Sequence, residues 1–244
     1  MQRIFFNRTA FIIASFLIIL TLFTQGCISS VKEKDRSGKN PAARNDKVLT
    51  GAIRWDAWMG DTNSIGRAVA KHLSQEKWHY RLPFFATIHD GDSVSINGLS
   101  QEIMDMEIEY ASGALDYWAF LFYSGMMGTA RELYLSSTIK DQLNFCLIIE
   151  GSRLINEWEE FHSVLSRSWD EPGYQTVMDN RPLLYLMRPV NVLNRKVANW
   201  QEMENKIQTI RDLAQRKGYA DPYIVVMDYS MARIDSAMSN ISAD

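Results

Sequence analysis

An α/β fold built around a parallel sheet is what this sequence predicts, and three observations predict it. Residues 98–123, GLSQEIMDMEIEYASGALDYWAFLFY, pass from an acidic amphipathic segment through Ser112-Gly113 into an apolar, aromatic-rich run. That is a helix handing over to a strand covered on both faces. From Thr50 onward short apolar runs alternate with helical patterns, the series expected of parallel strands joined by helices. Finally, 46% hydrophobic and 23% charged residues over 244 positions suit one globular domain with a sizeable core.

The N-terminus is read separately. Arg3 and Arg8 precede an apolar run from Ala10 to Phe23, followed by Thr24-Gln25-Gly26-Cys27. Residues 1–27 resemble a secretory signal peptide with a bacterial lipoprotein cleavage site, in which Gly26 is the small residue before the cut and Cys27 carries the lipid. Thr24 departs from the Leu usual at that place, and an uncleaved anchor or a signal peptide cut elsewhere are the alternatives. The run is about 14 residues, shorter than the ~20 of a spanning helix. Residues 28–48, polar and rich in Lys and Arg, read as a flexible tether, and residues 49–244 as the folded domain. Loss of residues 1–26 moves the formal charge from −3 to −5. An exported, mildly acidic domain argues against nucleic acid as a partner. It places the protein in the cell envelope, anchored to a membrane through its N-terminal lipid. Ile28, where an Asp would signal inner-membrane retention, favours the outer membrane of a Gram-negative cell.

Within the domain the expected strands are 52–58, 115–123, 143–150, 182–188 and 223–229. The expected helices are 98–112, 126–142, 155–167 and 199–217. The last is the clearest: Trp200, Met203, Ile207, Ile210 and Ala214 recur at helical spacing, Asn199 with Glu202 forms a capping box, and Gly218 stops it. About 40 residues separate the first strand from the first long helix. They read as a hairpin or lid turning at Asp90-Gly91-Asp92. Cys146, inside the apolar run 143–149, reads as a small core hydrophobe.

An open doubly wound sheet and a closed (β/α)8 TIM barrel compete. No Gly-rich phosphate fingerprint follows any strand. The strands end instead in Asp56 and Trp58, Tyr123, Glu150, Arg188, and Asp228 with Tyr229. In barrels the active site sits at the C-terminal strand ends, so the barrel is favoured. Asp56, Glu150 and Asp228 are the candidate catalytic carboxylates, since paired carboxylates hydrolyse glycosidic bonds. Structural ion pairs with Arg54 and Arg188 are the competing reading. Trp58, Trp118, Tyr123, Arg188 and Tyr229 are the candidate substrate-binding residues, the aromatic ones as flat faces for sugar rings. Glu107 falls amid the apolar arc of its helix and is expected to be buried against an Arg or Lys. Four histidines, His72, His79, His89 and His162, lack ligand spacing, so neither a metal nor another cofactor is expected.

GAIRWDAW (51–58), HYRLPFF (79–85), QEIMDMEIEYASGALDYWAFLFY (101–123), FCLIIEGSR (145–153) and NRPLLYLM (180–187) together resemble the barrel family of glycoside hydrolases 71 and 99, including WbsX-type domains. The resemblance covers roughly residues 50–230. It implies a (β/α)8 barrel acting on glycans, endo-α-mannosidase being the best-known activity among the relatives. The catalytic carboxylates of that family lie in a Glu-Trp-Asn-Glu-like motif beyond the fifth strand, whereas Asn156-Glu157-Trp158-Glu159 follows the third. The resemblance therefore implies about five of eight β/α units without the late catalytic pair, and self-association through open sheet edges. Three functions stay open: a glycan-hydrolysing lipoprotein, a non-catalytic glycan-binding surface lipoprotein, and an inactive fragment.

Overall fold

A computed structural model of the protein describes residues 48–90, 92–190 and 199–244. The expected signal peptide, Cys27, the tether up to Lys47 and the turn residue Gly91 lie outside the described residues. In chain order the strands are β1 (Gly51–Arg54), β2 (Thr87–Ile88), β3 (Val94–Ser95), β4 (Tyr117–Leu121), β5 (Asn144–Glu150), β6 (Thr176–Val177), β7 (Arg181–Met187) and β8 (Tyr223–Met227). The α-helices are α1 (Ser64–Leu73), α2 (Gln101–Ser112), α3 (Thr129–Ser136), α4 (Gly151–Asn156), α5 (Trp158–Ser168), α6 (Trp200–Arg216) and α7 (Met231–Ile241).

The fold is α/β with a mostly parallel sheet. β1, β4, β5, β7 and β8 lie side by side in the order of the chain, each parallel to its neighbour. The short β6 adds an antiparallel pair at the start of β7, and β2 with β3 form the expected hairpin. Strand order never reverses, so these strands have no topological switch point of the doubly wound kind. Among the described residues β1 pairs only with β4 and β8 only with β7, so the described strands do not close a barrel.

β4 and β5 are buried along nearly their whole length, which is why they read as unbroken apolar runs. Trp118, Phe120 and Phe122 share one face. Phe120 packs on Tyr134 of α3 at 5.3 Å between ring centres, and Phe122 on Phe161 of α5 at 5.3 Å. Phe145 and Tyr174 extend this aromatic layer. Each such ring, fully buried, contributes about 1.5–3 kcal/mol. On the opposite face Tyr117 and Tyr185 join hydroxyls at 2.7 Å, spanning β5 over the buried Cys146.

Several boundaries differ from expectation for identifiable reasons. β1 stops at Arg54, so Asp56 and Trp58 do not end a strand. Gly98 N donates to the Trp58 carbonyl at 2.7 Å and Gly60 N to the Ile96 carbonyl at 2.9 Å, drawing the chain out of line with the sheet. The expected helix 126–142 breaks after Ser136, where the Ser137 hydroxyl accepts from Ile139 N at 3.2 Å and competes with helical bonding. The expected helix 155–167 begins earlier, at Gly151, and is interrupted at Glu157. Asn199 caps α6 as predicted, accepting from Glu202 N at 2.8 Å, and Gly218 follows it with φ 79°. Neither α1 nor α7 was expected.

Candidate functional site

At the C-terminal ends of the parallel strands the fold gathers Trp55 after β1, Tyr123 after β4, Glu150 as the last residue of β5, Arg188 after β7, and Asp228-Tyr229 after β8. Arg153, in the first turn of α4, joins them. β5 runs into α4 without a loop, Glu150 serving as the N-cap residue. Gly151 makes this junction fit, because a Cβ there would stand 2.7 Å from Pro189 Cα. The ends of β5 and β7 are thereby pressed together, and Arg188 reaches Glu150.

Arginine–carboxylate pairs and aromatic faces compose the cluster. Arg188 Nη2 lies 3.0 Å from Glu150 Oε1, and its guanidinium 6.0 Å from the Tyr229 ring. Arg153 Nη1 donates to both Glu157 oxygens, at 2.6 and 2.9 Å. The same guanidinium stands 4.4 Å from the centre of the Tyr123 ring. Burial raises the Tyr123 phenol above its ordinary pKa, against the opposing pull of a hydrogen bond from Trp55 and the charge of Arg153. Tyr123 is therefore a neutral hydroxyl at physiological pH. Asp228 is closed to solvent. Its Oδ1 accepts from Tyr229 N at 2.7 Å and faces Arg233 Nη1 at 3.5 Å, while Oδ2 meets no partner.

Arg188 adopts φ 50° immediately before Pro189. A non-glycine residue held there costs about 1–3 kcal/mol, and such conformations concentrate at functional sites. Arg153 Nε, Arg188 Nε and Asp228 Oδ2 of this cluster are buried without a hydrogen-bond partner.

Of the residues singled out from sequence, Glu150, Arg188, Tyr123, Asp228 and Tyr229 come to the strand ends, and Asp56, Trp118 and Trp58 do not. Arg54 Nε donates to Asp56 Oδ1 at 2.8 Å and its Nη2 to Glu107 Oε2 at 2.7 Å, with all three side chains mostly buried. This is the structural ion pair expected of Glu107, with Arg54 as the partner. Burial raises the Asp56 carboxyl despite the opposing Arg54 charge. Burial alone would lower the Arg54 guanidinium, but Asp56 and Glu107 outweigh it and hold it above its ordinary value. Trp118 is 6% exposed, packed against Phe120 and Tyr134 with Arg54 stacked on it at 4.7 Å. It is a core residue on the helix-facing side. Trp58 is half-buried against Gly98.

Trp55, Arg153 and Glu157 are cluster members that sequence reasoning passed over. Alternation offered a signal for Trp55, since it must point opposite Arg54 on an extended chain. Trp55 also borders an open apolar groove of about 460 Å³ lined by Ile65, Ala68, Val69, His72 and Leu73 of α1. Among the described residues no three His, Cys, Asp or Glu side chains are grouped to hold a metal ion. No described helix is long and apolar enough to cross a membrane. No family model and no curated protein matches the chain.

Proposed function

We propose that the strand-end cluster is a glycan-binding surface, in an exported lipoprotein of the glycoside hydrolase 99/71-like kind whose parallel sheet is part of a barrel wall. The gathering of Trp55, Tyr123 and Tyr229 around the Glu150–Arg188 and Arg153–Glu157 pairs carries this reading. Aromatic faces take the apolar side of a pyranose ring, and fixed arginine–carboxylate pairs present donors and acceptors to its hydroxyls. Sequential parallel strands supply the support, because side chains at their C-terminal ends converge on one surface.

Binding is favoured over hydrolysis by the state of the carboxylates. Glu150 and Glu157 each face an arginine, and Asp228 is closed to solvent beside Arg233. A glycosidase needs one carboxyl group free to deliver a proton and a second free to attack or to activate water. The Glu157 of Asn156-Glu157-Trp158-Glu159 is held on both oxygens by Arg153 and positions that arginine.

Calorimetric titration of the full chain with α-mannan oligosaccharides, alongside a panel of other oligosaccharides, tests the reading. Binding that is lost in Tyr123→Ala and Arg188→Ala is expected, without release of reducing ends. Absence of binding to every glycan in the panel would overturn it, and turnover abolished by Glu150→Gln would replace it with hydrolysis.

A further inference from the structure

α1 turns its apolar face away from the fold. Its inner side is fixed at Gly66, where a Cβ would collide with the Gly60 carbonyl oxygen, so the helix rests there on backbone. At about 100° per residue, Ile65, Ala68, Val69 and Leu73 fall on another side. They line the open apolar groove of about 460 Å³ that Trp55 borders, and Gly66 is the one residue of the helix that is buried. An amphipathic helix ordinarily covers such a face with its own domain. This one leaves it open.

Basic and aromatic side chains border the same face. On the helical wheel Arg67 and Lys71 come next to Ala68, and Arg67 Nη1 donates to the Asp61 carbonyl at 2.9 Å instead of to a carboxylate. His79 Nε2 donates to the Ser74 carbonyl at 2.9 Å, which holds the 3-10 turn Glu76–Arg81 against the end of α1. In that turn Lys77 Nζ lies 5.3 Å from the Trp78 ring, and the Arg81 guanidinium 5.2 Å from Trp78 and 5.8 Å from Tyr80. Tyr80 is 76% exposed, and Phe84 and Ile88, just beyond, are 49% and 54% exposed. Residues 62–89 carry four Lys or Arg, all exposed, against the single acid Glu76, in a chain of net charge −3.

We propose that α1 and the segment from Glu76 to His89 form a docking face for the surface of an anionic lipid bilayer. Trp78, Tyr80 and Phe84 seat at headgroup level, the α1 groove and Ile88 meet acyl-chain surface, and the four cations meet lipid phosphates. The charge decides against a second copy of this chain on the same face, since a two-fold contact would set the basic patch against itself. Neither glycan binding nor a lipid on Cys27 is needed for this docking.

A bimane probe at Tyr80→Cys, compared with one at the exposed Gln208→Cys of α6, tests it in the full chain. Cys146 is buried, and identically treated wild type supplies the background from Cys27. With vesicles of phosphatidylcholine and phosphatidylglycerol that include brominated lipid, the probe at 80 should be quenched and the probe at 208 should not. Reversing Arg67 and Lys71 to Glu should lower the docked-to-free ratio about tenfold or more, with an unchanged circular dichroism melt showing that the fold is kept. Absence of quenching at 80, or equal quenching at 80 and 208, would overturn the docking face. Quenching as strong in pure phosphatidylcholine, and untouched by the charge reversal, would overturn the preference for anionic lipid. A shift of the probe at 80 without lipid, rising with protein concentration, would overturn the proposal in favour of a second copy.

Discussion

Replacing Glu107 by Gln tests whether the Arg54 cluster holds β1 to α2. The side chains of Arg54, Glu107 and Asp56 are 13%, 15% and 11% exposed, so none is screened as a surface ion pair would be. The substitution keeps shape and a hydrogen-bonding oxygen but removes the charge that Arg54 Nη2 meets at 2.7 Å. Breaking a buried pair outright costs about 3–5 kcal/mol. Arg54 retains Asp56 at 2.8 Å, which places the expected loss at about 2–3 kcal/mol. For a domain of this size that lowers the melting midpoint by about 4–12 °C. Arg54→Met should cost more, since it strands two buried carboxylates. Urea denaturation of the two single variants and the double variant closes a thermodynamic cycle with a coupling of about 1–3 kcal/mol. A loss under about 0.5 kcal/mol for Glu107→Gln, or a coupling near zero, would refute the claim that the pair joins strand to helix.

Other perturbations have outcomes as definite. Tyr134→Phe deletes the hydroxyl that donates to the Leu143 carbonyl at 2.5 Å in the core; a loss of about 1–2 kcal/mol in urea denaturation is expected. Arg188→Gly relieves the φ of 50° while Arg188→Ala does not, so the glycine variant should be the more stable of the two by calorimetry, with glycan binding lost in both. Hydrogen bonds from Ser137 and Gln101 hold the Asp105 carboxyl below its usual 3.8. A depressed carboxylate stabilises above its unfolded pKa and loses that as pH falls through the folded one. Asp105→Asn should therefore be the less stable at pH 7, and the gap should close below pH 3.8. Burial raises the Cys146 thiol and removes it from solvent, so an aromatic disulfide reagent should label it only as the domain unfolds.

The parallel α/β character was legible because β4 and β5 are covered on both faces and so read as unbroken apolar runs. The same coverage hid which face each side chain takes. In a half-exposed strand polar residues mark the outer side, but in YWAFL every other position is equally apolar, and Trp118 could not be told from a rim residue. Asp56 was misplaced for a related reason: extended alternation was carried past Arg54, where the chain leaves the sheet to pair with 96–98. α6 was legible from its cap, its stop and five spaced apolar residues. α1 was not, since Gly66 is its only buried residue and burial placed little constraint on its sequence. Arg153 escaped notice because its role depends on Tyr123, 30 positions earlier, being brought under its guanidinium by the pairing of β4 with β5.

The joined hydroxyls of Tyr117 and Tyr185 set a depth. Tyr185 lies two residues below Met187, which pairs with Glu150, so the bridge sits about 7 Å beneath the strand-end carboxylate. Above the bridge, β5 and β7 continue for only about two residues before they end. Under the proposed glycan-binding function, this bridge would bound how deeply a ligand can enter between β4 and β7.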